Sequence, residues 1–189
     1  MLKVITIDLG TVEYYDSTSN QFEYDVGGVV RFEYSLKALY QWEGKWKKPF
    51  LRLIETNNIT NEELVDFYMT MALDPIHERF MTEDVMRILS DYIGDSHTAT
   101  TFSTIDDGQN GNKNVNIKGK TYTAEELYAL MFQAQIPLEL ENRNLNRLLT
   151  TIRIIHTYNN PPKKMSTQDI YRQNAKLNAE RKAKLKTKG

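Results

Sequence analysis

The spacing of apolar residues changes near Ser35, and that switch limits the fold more than any other feature of the chain. Before it, Val4, Thr6 and Asp8 alternate with Ile5, Ile7 and Leu9, and the stretches VEYY and FEYDV are rich in β-branched and aromatic residues. That is the signature of strands. The cluster DSTSN reads as a turn. Gly27-Gly28, between YDV and VVRFEY, predicts a two-residue hairpin turn, because glycine supplies the positive φ such turns require. Residues 3–34 are therefore expected to form a small antiparallel sheet of three or four strands, which needs something helical to cover one face.

Beyond Ser35 the apolar residues recur at helical spacing. Ser35 is a good N-cap, followed by Leu36, Leu39, Trp42 and Trp46; Glu43 and Lys47 form an i,i+4 pair, and Pro49 stops the helix. A second helix starts at Thr60/Asn61, presents Leu64, Phe67, Tyr68 and Met71, and stops at Asp74-Pro75. A third starts at Thr82, presents Val85, Ile88, Leu89 and Ile93, and stops at Gly94. Residues 95–122 are polar and rich in Gly and Asn, the composition of a mobile loop, with a weak strand near Val115–Ile117. Thr123 caps a helix that Pro137 interrupts. The stretch LELENRNLNRLLTTIRIIHTYN then predicts one longer helix with Leu145, Leu148, Leu149, Ile152 and Ile155 as its core stripe. A last helix, capped at Ser166 or Thr167, has few aliphatic residues and would be marginal alone. The expected class is α+β: an N-terminal sheet on a helical body, residues 1–162, followed by a basic helical tail, residues 163–189.

The chain has 189 residues and no cysteine, which excludes disulfide frameworks, Cys-ligated metals and thiol nucleophiles. No apolar run approaches the ~20 residues of a membrane span, and the first residues have no signal-peptide layout, so a soluble cytoplasmic protein is expected. Residues 163–189 hold nine Lys/Arg against two acids, a charge of +7; the whole chain carries −1, so residues 1–162 carry −8. An acidic body with a basic tail is open to three uses: a solvated end, a contact with an acidic protein surface, or phosphate binding. Only Tyr171 is aromatic in the tail, whereas single-strand binders interleave stacking platforms, so nucleic acid ranks last.

No catalytic or metal-binding constellation stands out. His77, His97 and His156 have no metal-ligand spacing; His156 is expected at a core or interface, and the other two in solvated loops. The stretch GQNGNKNVNIKG lacks the pattern of a phosphate loop, and LELENRN reads as the acidic first turn of a helix. No cofactor is expected. Trp42 and Trp46, four residues apart, fall on one helical face. Core anchoring is the preferred reading, partner binding the second, and stacking on a base or sugar the third.

Several segments together resemble a family of small proteins of tailed bacteriophages identified as tail assembly chaperones. They are VVRFEYSLKALYQWEGKWKKPFL, TATTFS, TAEELYALMFQAQIPLELENRNLNRLLTTIRII, NPPKKMS and LNAERKAKLKTKG, which cover most of the chain from Val29. The chain departs from the family pattern at two places. Relatives often carry Glu-His-Ser where this chain has Glu33-Tyr34-Ser35, and Trp-His-Leu-Asn-Arg where it has Asn142-Arg143-Asn144-Leu145-Asn146-Arg147.

The resemblance implies a non-catalytic factor of the host cytoplasm, absent from the mature virion. Such a factor coats the helical tape measure protein, with the major tail tube protein as a second partner, and self-associates. On that reading Trp42, Trp46 and Phe50 anchor the fold beside a groove floored by Leu145, Leu148, Leu149 and Ile152. Arg172, Lys176, Arg181, Lys182 and Lys184 would reach an adjacent copy or the client. The alternatives are a structural protein of the head–tail or baseplate region and a nucleic-acid-binding protein acting through the tail.

Overall fold

The computed structural model describes residues 4–101, 121–159, 171, 174–175 and 177–182. The class is α+β: four N-terminal strands, β1 (Ile5–Asp8), β2 (Thr11–Asp16), β3 (Gln21–Val26) and β4 (Val29–Phe32), precede a helical body. β1 pairs with β4 and β2 with β3, both antiparallel. The register never slips between the two ladders, since Asp8 faces Val29 and Thr11 faces Val26. Leu9 N–H donates to the Gly28 carbonyl at 2.9 Å and Gly27 N–H to the Gly10 carbonyl at 2.8 Å, which joins the ladders into one long ribbon.

The four antiparallel strands fall within the expected number, but they pair two by two in a ribbon rather than side by side in one sheet, and the turn expected at Gly27-Gly28 is corrected. The chain reverses in the DSTSN cluster, where the Asp16 carboxylate accepts the N–H groups of Thr18 and Ser19 at 3.0 and 3.2 Å. Gly10 and Gly28 take φ of +63° and +64° on opposite strands in mid-ribbon, so the glycine signal marks a change of strand direction within a pair. On the body side of this break, Ile7, Val30 and Phe32 are buried. β4 is also held from its other edge: Leu73 N–H donates to the Arg31 carbonyl and Glu33 N–H to the Met71 carbonyl.

The body contains α1 (Leu36–Trp46), α2 (Phe50–Glu55), α3 (Asn61–Met71), α4 (Glu83–Gly94), α5 (Ala124–Gln133) and α6 (Leu145–Asn159), with 3-10 turns at Glu78–Phe80 and Leu138–Asn142. The expected caps are present. Ser35, Thr60, Thr82 and Thr123 each accept a backbone N–H in the first turn, and Thr60–Glu63 and Thr123–Glu126 are reciprocal capping boxes. α1 packs against α3, α5 and the second 3-10 turn, and its Leu36, Leu39 and Trp42 are fully buried.

The long helix expected from residue 138 is broken. Arg143 is extended, and Asn144 forms a bridge with Ser35 while Leu145 N–H donates to the Tyr34 carbonyl at 2.7 Å. Asn144 caps α6, its side-chain oxygen accepting Arg147 N–H at 3.4 Å. A short amide side chain there offers the backbone an end as readily as a continuation. Ile88, expected in the core, is exposed on α4, and Tyr92 takes the buried place.

The chain divides into two compact units, Met1–His156 and Thr157–Gly189, a boundary slightly before the expected one at 162. In the second unit the described residues, including 177–182, are helical and exposed. The expected strand near Val115–Ile117 and the expected cap at Ser166 or Thr167 lie outside the described residues. No helix among the described residues is long and apolar enough to cross a membrane.

Candidate functional site

Trp42 and Phe50, expected to anchor the fold beside a groove, lie in the core, and the four α6 residues expected as the floor of that groove are core as well. Trp42, Phe50, Leu145, Leu148, Leu149 and Ile152 are all buried by the chain itself, so no open groove runs over α6 at these positions. Trp42 packs edge-on against Phe50 and Phe67, with centroids 5.0 and 6.3 Å away, and its indole N–H donates to the Glu63 carbonyl at 3.0 Å. Phe50 stacks on Phe67 at 3.7 Å. Trp46 lies over Trp42 at 5.9 Å, half-buried, and donates to the Asp66 carboxylate at 2.7 Å. The tryptophan pair is thus a core residue and its cover, the first of the three uses considered. In the tail, Arg181 and Lys182 are exposed; Arg172, Lys176 and Lys184 lie outside the described residues.

Two buried carboxylates organise the body. Glu43 does not pair with Lys47, which is the left-handed cap residue of α1 with φ 55°. Its oxygens accept the N–H groups of Phe50 and Ala124 at 2.9 and 2.7 Å, which ties α1 to the first turns of α2 and α5. Burial raises its pKa, against the pull of these two hydrogen bonds. Glu33 accepts the Tyr92 hydroxyl at 2.8 Å, and Asn144 donates to the same hydroxyl oxygen at 3.5 Å. Its pKa is raised too, again chiefly by burial.

The stretch Glu33-Tyr34-Ser35 and Asn144 with its neighbours therefore meet in one polar junction. His97 joins it: its ring lies 4.6 Å from that of Tyr92, its Nε2 is 2.8 Å from the Tyr92 carbonyl, and its own carbonyl accepts Arg147 Nε–H at 2.7 Å. Half-buried His97 corrects the expectation of a solvated loop residue; His156, expected at a core or interface, is exposed and so not in the core. His77 caps the 3-10 turn Glu78–Phe80 by accepting Arg79 N–H at 3.2 Å. Among the described residues no group of three or more His, Asp or Glu side chains is placed to hold a metal ion.

An open concave surface lies elsewhere, between α1, α5 and the 3-10 turn Leu138–Asn142. It is a cleft of about 530 Å³ with Tyr40, Tyr128, Ala129, Phe132 and Leu138 as its apolar lining and Glu125 and Glu141 among its walls. Phe132, Leu138 and Tyr40 are 64%, 48% and 47% exposed, high values for side chains of this size. Tyr40 and Tyr128 meet edge to face at 5.4 Å, and the Tyr128 hydroxyl donates to Glu141 at 2.7 Å. Burial and that carboxylate acceptor together hold the Tyr128 phenol well above its ordinary pKa.

Sequence reasoning missed this cleft, although a signal was there. In AEELYALMFQ, Ala124, Leu127 and Met131 form the buried face of α5. Glu125, Tyr128, Ala129 and Phe132 recur at the same spacing on another face. A helix apolar on two faces has more to cover than one core can take.

A second exposed surface is the outer face of the distal ribbon. Tyr15 pairs with Phe22 across the strands, Tyr24 and Val26 continue the same face, and all four are exposed. The inner face docks on the body through Arg79, whose guanidinium lies 3.8 Å from the Tyr14 ring and 3.5 Å from the Asp25 carboxylate.

No family model, curated protein or solved structure matches this chain.

Proposed function

We propose that the protein is a non-catalytic assembly factor that holds an amphipathic helix of a client chain in the cleft between α1 and α5. The client suggested by the segment resemblance is the tape measure protein of a tailed phage, with the tail tube protein as the agent that displaces the factor in the host cytoplasm. The observation that carries this reading is the cleft itself, whose Tyr40, Tyr128, Phe132 and Leu138 offer apolar surface to solvent in one concave place. Helix-in-groove recognition needs such a floor for residues at three- and four-residue spacing. The cleft is shallow, which suits a coat of many copies: each copy binds modestly, the array supplies avidity, and every copy can leave.

Co-expression with the tape measure protein of the same phage tests the proposal. The wild-type chain is expected to bring the tape measure into the soluble fraction as a complex of several copies. Phe132→Asp, at an exposed position, is expected to lose that capture while its melting temperature stays near wild type. An insoluble tape measure with the wild-type chain, or full capture by a folded Phe132→Asp variant, would overturn it. Recovery of the protein at fixed copy number in purified virions would favour the structural-protein reading instead.

A further inference from the structure

We infer that the cleft of one copy also binds the basic C-terminal segment of a second copy, so that the protein self-associates head to tail. This deepens the proposed function and rests on the cleft being a helix-binding surface. The first support is charge. From residue 121 to 142, the stretch that builds α5 and the second 3-10 turn, the sequence has four glutamates and no Lys or Arg. Glu125 and Glu141 stand at the cleft itself. The tail is the opposite, with nine Lys/Arg against two acids over residues 163–189. The −8 of residues 1–162 and the +7 of the tail nearly cancel when a tail is laid on a neighbour's body.

Shape agrees with charge. Residues 177–182 are helical, with Leu177 41% exposed and Arg181 exposed one turn on. Positions i and i+4 share a helix face, so one aliphatic side chain and one cation face the same way. That pattern fits an apolar floor beside a carboxylate wall. Nucleic acid offers the basic segment phosphates but no apolar floor for Leu177, and the cleft would then be left uncovered. A contact between two different surfaces does not close on itself as a two-fold dimer does, so it extends into a chain or a ring. A client helix seated in the cleft displaces the neighbour's tail.

Sedimentation of the full-length protein at low and high salt tests the inference, with two charge-reversing variants. The cleft variant carries Glu125→Lys and Phe132→Lys; the tail variant carries Arg181→Glu and Lys182→Glu. All four positions are exposed, and unchanged thermal melting checks that both variants fold. Wild type is expected to grow in mass with concentration at low salt and to dissociate at high salt, since exposed charge contacts are screened. Each variant alone is expected to associate at least ~10-fold more weakly, about 1.4 kcal/mol. Their mixture is expected to regain association that stops at one-to-one pairs, because it contains a single intact cleft–tail combination. Wild type that stays monomeric at low salt, either variant associating like wild type, or a mixture that stays dissociated would each overturn the inference. Tape measure capture read on the same variants separates the two claims. If the cleft variant loses capture but still self-associates, client binding stands and the self-contact falls. If it loses self-association alone, the self-contact stands and the client binds elsewhere.

Discussion

Glu43 and Ala124 are 81 residues apart in sequence, and the carboxylate of the first accepts the backbone N–H of the second at 2.7 Å. The other oxygen of the same group accepts Phe50 N–H at 2.9 Å. One buried acid thus accepts the first free N–H of two helices, replacing the cap that Pro49 cannot supply at α2 and adding to Thr123 at α5. α5 starts in register with α1 because of it, and Tyr128 comes to face Tyr40 across the cleft. Glu43→Ala leaves two buried donors without an acceptor and is expected to cost about 3 kcal/mol of stability in urea unfolding. Glu43→Gln keeps one acceptor oxygen but turns an amide NH2 toward the second donor, so it should lose about half as much. A Gln variant as stable as wild type would mean that the two bonds are not both made.

The acid limb of the stability curve should contain opposing contributions, among them those of Glu33 and Asp74. Burial lifts the Glu33 carboxyl above its ordinary 4.5, so the folded state holds that proton more tightly than the unfolded chain does. Its contribution is fully present below 4.5 and is lost as pH rises through the lifted value. Asp74 behaves in reverse. Its hydrogen bonds from the Arg31 side chain and backbone hold it at about 2, against an ordinary 3.8. That contribution is present above 3.8 and is lost as pH falls toward 2. Melting temperatures across this range are expected to fall less steeply on acidification in Asp74→Asn than in wild type. Glu33→Gln should reduce the loss that wild type shows on raising pH above 4.5, the remainder coming from Glu43, whose carboxyl burial also lifts. Parallel curves for wild type and Asp74→Asn would show that the Arg31 contact does not bias the fold.

The two tryptophans should separate by mutation. Trp42 is fully buried among Phe50, Phe67 and the Glu63 carbonyl, so Trp42→Ala opens a closed cavity and should cost about 3–5 kcal/mol. Trp46 is half-buried and open to solvent on one side. Trp46→Ala should cost less, about 2 kcal/mol, because the space it leaves fills with water. Equal losses in denaturant unfolding would contradict the cover-and-core arrangement of the stacked pair.

What could be read from the sequence was local. Ser35, Thr60, Thr82 and Thr123 announce their helices because each cap is completed within three residues of itself. The α+β class followed from the change of apolar spacing at Ser35, which needs no long-range information. The misread features depend on partners far along the chain. Glu43 looked like half of a surface ion pair with Lys47, and only Ala124 reveals it as a buried cap. The step at Arg143 exists because Asn144 bridges to Ser35 and Leu145 bonds to Tyr34. The same holds for the cleft: the leucine stripe of α6 and the aromatic stripe of α5 look alike in sequence, and α6 turns its stripe inward while α5 has a second one left over.

Two glycines give opposite expectations for the same substitution. Gly27 lies in the ribbon against the body, where an added Cβ would stand 2.6 Å from the Leu9 Cβ and 2.7 Å from the Phe80 ring. Phe80 is buried and Leu9 belongs to the paired strand, so neither can withdraw without moving backbone. Gly27→Ala should cost about 1–3 kcal/mol, as overpacked sites do. Gly44 sits on the exposed side of α1, where an added Cβ would meet nothing within 4 Å. Gly44→Ala removes backbone freedom from the unfolded chain and should add about 0.5–1 kcal/mol. The pair is best measured together by thermal unfolding. A stabilised Gly27→Ala would mean that the ribbon is not seated on Phe80, and a destabilised Gly44→Ala would mean that the exposed face of α1 is covered by a partner in solution.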